Sequence, residues 1–404
     1  MNISVKVLRA VIKLVTAVAL AFLLALCVTG VSPVYDFRGP QPFAGDDIFN
    51  PYASLDTAQG WKRAVFHTHT RVKGPWPVNE CPYWPEHVDS VYRELGYDIV
   101  TFSNHNEITV HPYDSSLQVN VYEHGYGIPQ FHKLVFGSRK VIHWDALLPL
   151  TASQKQFQLD YLGRSSDFIQ MNHPYRVRFN KRHHMEVLSG YQIMELDTHV
   201  STENEYWDWA LSWGHYSFGL ANDDLHNPDL HERVAIRCNF VQTPSGRYED
   251  LKKALLGGCY YSMRVPDYGE GDWAEKTARN HALPKVQDIG LEGSIVYIRL
   301  SQKADSIRVN GQDHATLAMA CDTSAMAYTF RPQDCFARFT AFFPDGAVIY
   351  SNPFARFDAS KGPFPPTEAP QPVNWLQTIL FNFFLLIFAG GIVFLLTRLF
   401  HKTK

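Results

Sequence analysis

Two long apolar runs bracket this chain, and between them the hydrophobic pattern changes character twice. Leu14–Val31 (LVTAVALAFLLALCVTGV) is uncharged and follows Lys6, Arg9 and Lys13, the layout of a signal sequence or an uncleaved anchor. The anchor is placed at residues 10–31. Trp375–Leu399 (WLQTILFNFFLLIFAGGIVFLLTRL) has little polar before Arg398 except Gln377, Thr378 and Asn382. Each run approaches the ~20 residues that cross a bilayer. Basic residues precede the first run, and Arg398, His401, Lys402 and Lys404 close the second. The positive-inside bias then places both ends in the cytoplasm and the rest on the outer face of the membrane.

Residues 32–60 are rich in Pro, Gly and Asp and read as a linking arm. Over residues 61–283, short β-branched runs alternate with amphipathic stretches: AVFHTHT, then PEHVDSVYRELGY, then DIVTFSNH. That alternation predicts an α/β unit, with Pro85 in the first turn of a helix and Gly96 at its end. Over residues 284–358 the runs become short alternating strands parted by Gly, Pro and Asp, predicting a small β-sandwich. Residues 359–373 form a Pro-rich tether, read as a semi-rigid spacer before the second span at 375–399.

The formal net charge of −3 weighs against a surface built for a nucleic-acid duplex, which is expected not to be a partner. Six cysteines form no CxxC pair, so a zinc-thiolate site is not expected. Cys321 and Cys335 are candidates for a disulfide if the region is exported. Histidine occurs 18 times, and neutral imidazole is the commonest protein metal ligand.

The histidines gather at the ends of strand-like runs. His67 and His69 stand two apart on a strand and share a face. His105 ends the next run. Glu123 and His132 flank a hairpin-like stretch, with His124 as a competitor. His173 follows another apolar run, and Asp224 and His226 follow a further one beside Asp223. Taken singly, each segment reads equally well as surface or loop. Together they place six histidines and two carboxylates at successive strand ends. Imidazole and carboxylate suit Zn, Mn or Fe.

In order, HTHT (67–70), DIVTFSNHNEI (98–108), the Glu123–His132 pair, NHP (172–174), IMELD (193–197) and NDDLH (222–226) resemble the polymerase-and-histidinol-phosphatase (PHP) superfamily. The resemblance implies a distorted (β/α)7 TIM-like barrel, flanked here by the sandwich and the two spans. It implies two or three divalent ions held by His67, His69, His105, Glu123, His132, His173, Asp224 and His226. The activity implied is hydrolysis of a small-molecule phosphate ester by a metal-bound hydroxide, with Glu195 as an orienting group. Two positions depart from the family pattern. Lys73 stands where relatives carry an acid, with Glu80 as a substitute, and Asn104 replaces an aspartate. Arg176, Arg178 and Arg182 follow His173, and guanidinium forks match phosphate, so they are the expected phosphate binders. Two rivals remain: an amidohydrolase-like enzyme acting on a non-phosphate bond, and a metal-stabilised binding protein with weak or no activity.

Overall fold

Two sheets carry the region between the apolar helices in the computed structural model, which describes residues 3–74, 79–176, 180–197, 204–266 and 272–401. The smaller sheet orders its strands as Val121–His124, Lys133–Phe136, Phe168–Met171, Ile193–Glu195 and Phe218–Leu220. Its first two junctions are antiparallel and its last two parallel. Helices Arg182–Val187 and Glu205–Trp213 make the crossovers that parallel pairing requires. Every residue in these strands is buried, including the polar Glu123, Lys133, Gln170 and Glu195.

The larger sheet pairs Lys62–Val65 in parallel with Ile99–Val100 and antiparallel with Arg237–Val241. It continues through Tyr260–Arg264 into Val348–Ser351 and Phe336–Phe342. Helix Pro85–Glu94 leads into the second of its strands, with proline in its first turn. Gly96 follows at φ +87, a conformation that costs glycine little.

No closed barrel forms among the described residues, which corrects the expected (β/α)7 architecture. Several pairings run antiparallel where a barrel would be parallel throughout. Among the described residues the two sheets share no continuous ladder; isolated bridges join Thr68 with Leu225 and His105 with Glu123, and side chains such as Ser262 and Asn239 bond across. Strands of two to five residues are too short to carry a full ladder around the ring.

The strands expected to form a separate sandwich extend the larger sheet instead. The hairpin Ile295–Asn310 with Thr316–Thr329 joins it through Phe336–Phe342. The Cys321–Cys335 disulfide is also absent. Cys321 pairs with Ser306, whose other neighbour is Phe342, so strand Ile295–Asn310 lies between the strand of Cys321 and the one that Cys335 leads into. Two strand spacings are about 9.5 Å, beyond the roughly 7 Å that a disulfide spans between Cα atoms.

Helices Ile3–Thr29 and Trp375–Phe400 are long and apolar enough to cross a membrane, and they pack side by side with most side chains turned outward. The polar interruptions of the second helix meet the residues that leave the first. Asn382 Oδ1 accepts from Ser32 N (3.3 Å), and Asn382 Nδ2 donates to Ser32 O (3.0 Å). Thr378 Oγ1 accepts from Val34 N at 2.9 Å. The Pro-rich segment is no free spacer: Pro372 O accepts from Asp36 N, and Gln371 and Glu368 bond to Ser189 and Gly190 N.

Candidate metal centre

Both sheets send their strand ends to one point. Lys62–Val65 runs into His67 and His69, and Ile99–Val100 leads to His105. The smaller sheet contributes Glu123 and His132 from its antiparallel pair, His173 after Phe168–Met171, and Asp224 after Phe218–Leu220. His173 (φ +28) and Asp224 (φ +51) occupy left-handed backbone, strain of the kind that gathers at functional sites.

Glu123 is the hub. Its Oε2 lies 3.2 Å from His67 Nε2, 3.2 Å from His69 Nε2 and 3.0 Å from His105 Nε2. Its Oε1 lies 3.1 Å from His132 Nδ1 and 3.4 Å from His173 Nε2, and accepts from Asn172 Nδ2 at 2.8 Å. Asp224 Oδ1 faces His67 Nε2 (3.1 Å) and His69 Nε2 (3.2 Å). Glu80 Oε2 lies 3.2 Å from His105 Nε2 and 3.6 Å from His69 Nδ1.

These atoms fit divalent metal. His67 Nε2, Glu123 Oε2, His132 Nδ1 and His173 Nε2 are buried and make no hydrogen bond, although buried polar atoms are nearly always paired. Three overlapping donor sets converge: His67, His69, Glu123 and Asp224; His69, Glu80 and His105; His105, Glu123 and His132. Hard carboxylate oxygens mixed with imidazole nitrogens suit a borderline dication.

The electrostatics match. Burial opposes charge on His67, yet Glu123, Asp224 and Glu195 hold its imidazole well above the usual range. Burial likewise opposes charge on His69, and Asp224 and Glu123 outweigh it. Burial would raise the Glu123 carboxyl, but His105, His67 and His132 hold it well below the carboxylate range. His132 goes the other way, pushed down to about 4 by burial against the pull of Glu123.

Around the donors lies an orienting layer. Glu195 Oε1 sits 2.9 Å from His67 Nδ1, and Glu195 Oε2 accepts from His173 N at 2.7 Å. Asn222 Nδ2 donates to the same carboxylate, while Asn222 Oδ1 accepts from Phe66 N. Asn104 ties two ligand loops together: its Oδ1 accepts from Thr70 N, and its Nδ2 donates to the hydroxyls of Thr70 and Thr109. The decoys are spoken for. Asp223 accepts from Tyr92 OH and from three backbone N–H groups, and His124 Nε2 faces Trp144 O at 2.8 Å.

His226 sits at the rim, its ring 4.5 Å from that of His69 and its Nε2 3.7 Å from Glu80. The turn at Asp224 carries it off the strand line. Of the three arginines, Arg176 lines the cleft and its Nη1 lies 2.6 Å from Asp224 Oδ2. Arg178 lies outside the described residues. Arg182 pairs with Glu186 and Asp313 and stacks on Trp209, so it does not line the cleft. Arg233 does line it, and nothing in the sequence singled it out. Lys73 faces a neighbouring pocket, with Arg71 and Trp84.

No protein-family model matches the chain, and no curated protein matches it in sequence. Among solved structures, that of the lesion-specific endonuclease PfuEndoQ from Pyrococcus furiosus is similar over 49% of this chain, at 15% identity and a TM-score of 0.34. The match spans 56% of that chain, and at this level neither fold nor substrate carries over. One expectation is corrected all the same. A small-molecule ester with nucleic acid excluded was expected, and the ground for that exclusion does not hold. The exclusion rested on net charge, which sums remote surfaces and says nothing of the field in one cleft; this cleft sets Arg176 and Arg233 beside Glu80, Glu123, Asp223 and Asp224.

Proposed function

We propose that this chain is a metal-dependent phosphoester hydrolase of the PHP type, anchored by two membrane spans with its hydrolase region outside the cytoplasm. The observation that carries the reading is Glu123, whose two oxygens face two separate groups of imidazoles. A carboxylate so placed would serve two ions. His67, His69 and Asp224 would hold one and His132 with His173 the other, His105 standing within reach of both. Zn, Mn or Fe fits these donors. Such ions supply an activated water and absorb charge on the phosphoryl oxygens.

The chain's own residues do the rest. Glu195 fixes the His67 ring and the His173 backbone, as groups behind a ligand do in metal sites. Arg176 holds Asp224 with one arm of its fork and reaches the cleft, where a phosphoryl group docks. Burial excludes bulk water and strengthens each of these contacts.

The test uses the full-length chain in detergent, stripped and reloaded with Zn, Mn or Fe. Its panel spans aryl phosphates, phosphodiesters, and single- and double-stranded nucleic acid, with amides as the contrast. Metal-dependent turnover of a phosphoester is expected, together with loss of about one bound ion and at least ~10²-fold of the activity in Glu123→Gln. Loaded protein that cleaves amides and leaves every phosphoester intact would overturn the reading.

A further inference from the structure

We infer that the turn Tyr126–Gln130, together with Leu150, beds into the headgroup layer of the bilayer that the two helices cross, so that the rim of the metal cleft stands against the membrane. The inference rests on the spanning reading above and goes beyond it, because a tethered domain has no fixed face toward its membrane.

Hydrogen bonds fix that face here. Thr29, in the last turn of the first helix, accepts through Oγ1 from Leu147 N at 3.2 Å. Gly30 O accepts from Gln154 Nε2 (3.4 Å), Tyr35 N donates to Ser153 Oγ (3.1 Å), and Tyr35 OH donates to Asp160 (2.7 Å). Helix Ala152–Gly163, held by these bonds, begins at the point where the first span leaves the bilayer.

The same seam reaches the cleft. Leu147 O accepts from Ile128 N at 2.8 Å. Four residues lead from Ile128 to His132, at most ~14 Å of extended chain. Within that turn the Asp145 carboxylate accepts from Tyr126 N and Gly127 N, which holds the loop in place. Gly127 and Pro129 point inward while Tyr126, Ile128 and Gln130 point outward. Gln130 lines the cleft.

The chemistry of this surface selects its partner. YGIPQ (126–130) and LLPL (147–150) contain no charged residue. Ile128 is 55% exposed and Leu150 45%, beside the exit of a span. Large apolar side chains there are stabilised by leaving water, at about 25 cal/mol per Å². Tyrosine, apolar with a polar tip, is enriched at the same depth.

Nitroxide labels on the full chain in phospholipid vesicles test this. Three single-label proteins are compared: Ile128→Cys, Leu386→Cys, and the native Cys321 as the aqueous reference. Cys335 is replaced by serine in all three, and Cys321 also in the first two. Metal content equal to that of the unaltered chain certifies folding. The expected result is a several-fold lower collision rate with an aqueous nickel chelate at 128 than at 321, with 386 lower still. Position 128 as open as 321, with 386 shielded, overturns the inference and leaves the spans intact. Position 386 as open as 321 removes the spanning reading and the inference together. Shielding at 128 that grows with protein-to-lipid ratio identifies a second copy of the chain as the occupant, and also overturns it.

Discussion

Glu123 shows how much one side chain settles at the scale of a residue. A buried carboxylate facing five imidazole nitrogens has no stable arrangement of protons that satisfies all of them, and a cation resolves the conflict. Protons and metal therefore compete. In metal-free protein, Asp224 and Glu123 hold His67 and His69 protonated above their usual range, so the ions must displace those protons. Affinity is expected to fall as pH falls, with about one proton released per ion near neutrality. Calorimetry in two buffers of different ionisation enthalpy measures that release, and a value near zero would contradict the assignment. Glu195→Gln keeps the shape of the side chain but loses the charge that orients His67 and His173. It should cost about 10- to 100-fold in metal affinity while the fold survives, read by competition with a chromogenic chelator.

At the scale of elements, helix Glu205–Trp213 is clamped to the larger sheet by a buried ion pair. Arg338 Nε and Nη2 each lie 2.6 Å from Asp208, which also meets His314. Asp208→Ala strands a buried guanidinium and should cost about 3–5 kcal/mol by denaturant unfolding, whereas replacing both partners with apolar residues should cost far less. The same scale shows what the sequence could say. The convergence of His67, His69, His105, Glu123, His132, His173 and Asp224 was legible because each sits in a short motif at a strand end, where local spacing fixes direction. Asn172 and Asn222 open two of those motifs and were given no role, although Asn172 holds the Glu123 carboxylate and Asn222 that of Glu195. Glu80 was named only as a stand-in for the missing acid. Its approach to His105 depends on the path of an insertion, which no periodicity encodes. The arginine run failed differently: proximity in sequence to His173 put Arg176 in the cleft, but helix Arg182–Val187 turned Arg182 to Glu186 and Asp313. Thr378 and Asn382, blemishes in an apolar run, proved to be the bonds that join one helix to the start of the arm.

The region between the apolar helices is built on two sheets packed over a shared core, and this is where pattern reading stopped short. Alternation predicted strands correctly but not their partners, so hairpin Ile295–Asn310 with Thr316–Thr329 was assigned to a separate layer when it extends the larger sheet. The donors divide along the same line. His67, His69 and His105 belong to the larger sheet, and Glu123, His132, His173 and Asp224 to the smaller. Ions bound among them would add a tie at the donor end of a joint that Ser262, Asn239 and Asn352 already cross by hydrogen bonds and that a shared apolar core fills. A chelator should therefore do more than silence turnover. It loosens the donor end of that joint, and limited proteolysis of stripped protein should nick first beside it, near residues 105–120, at sites that reloading with metal protects.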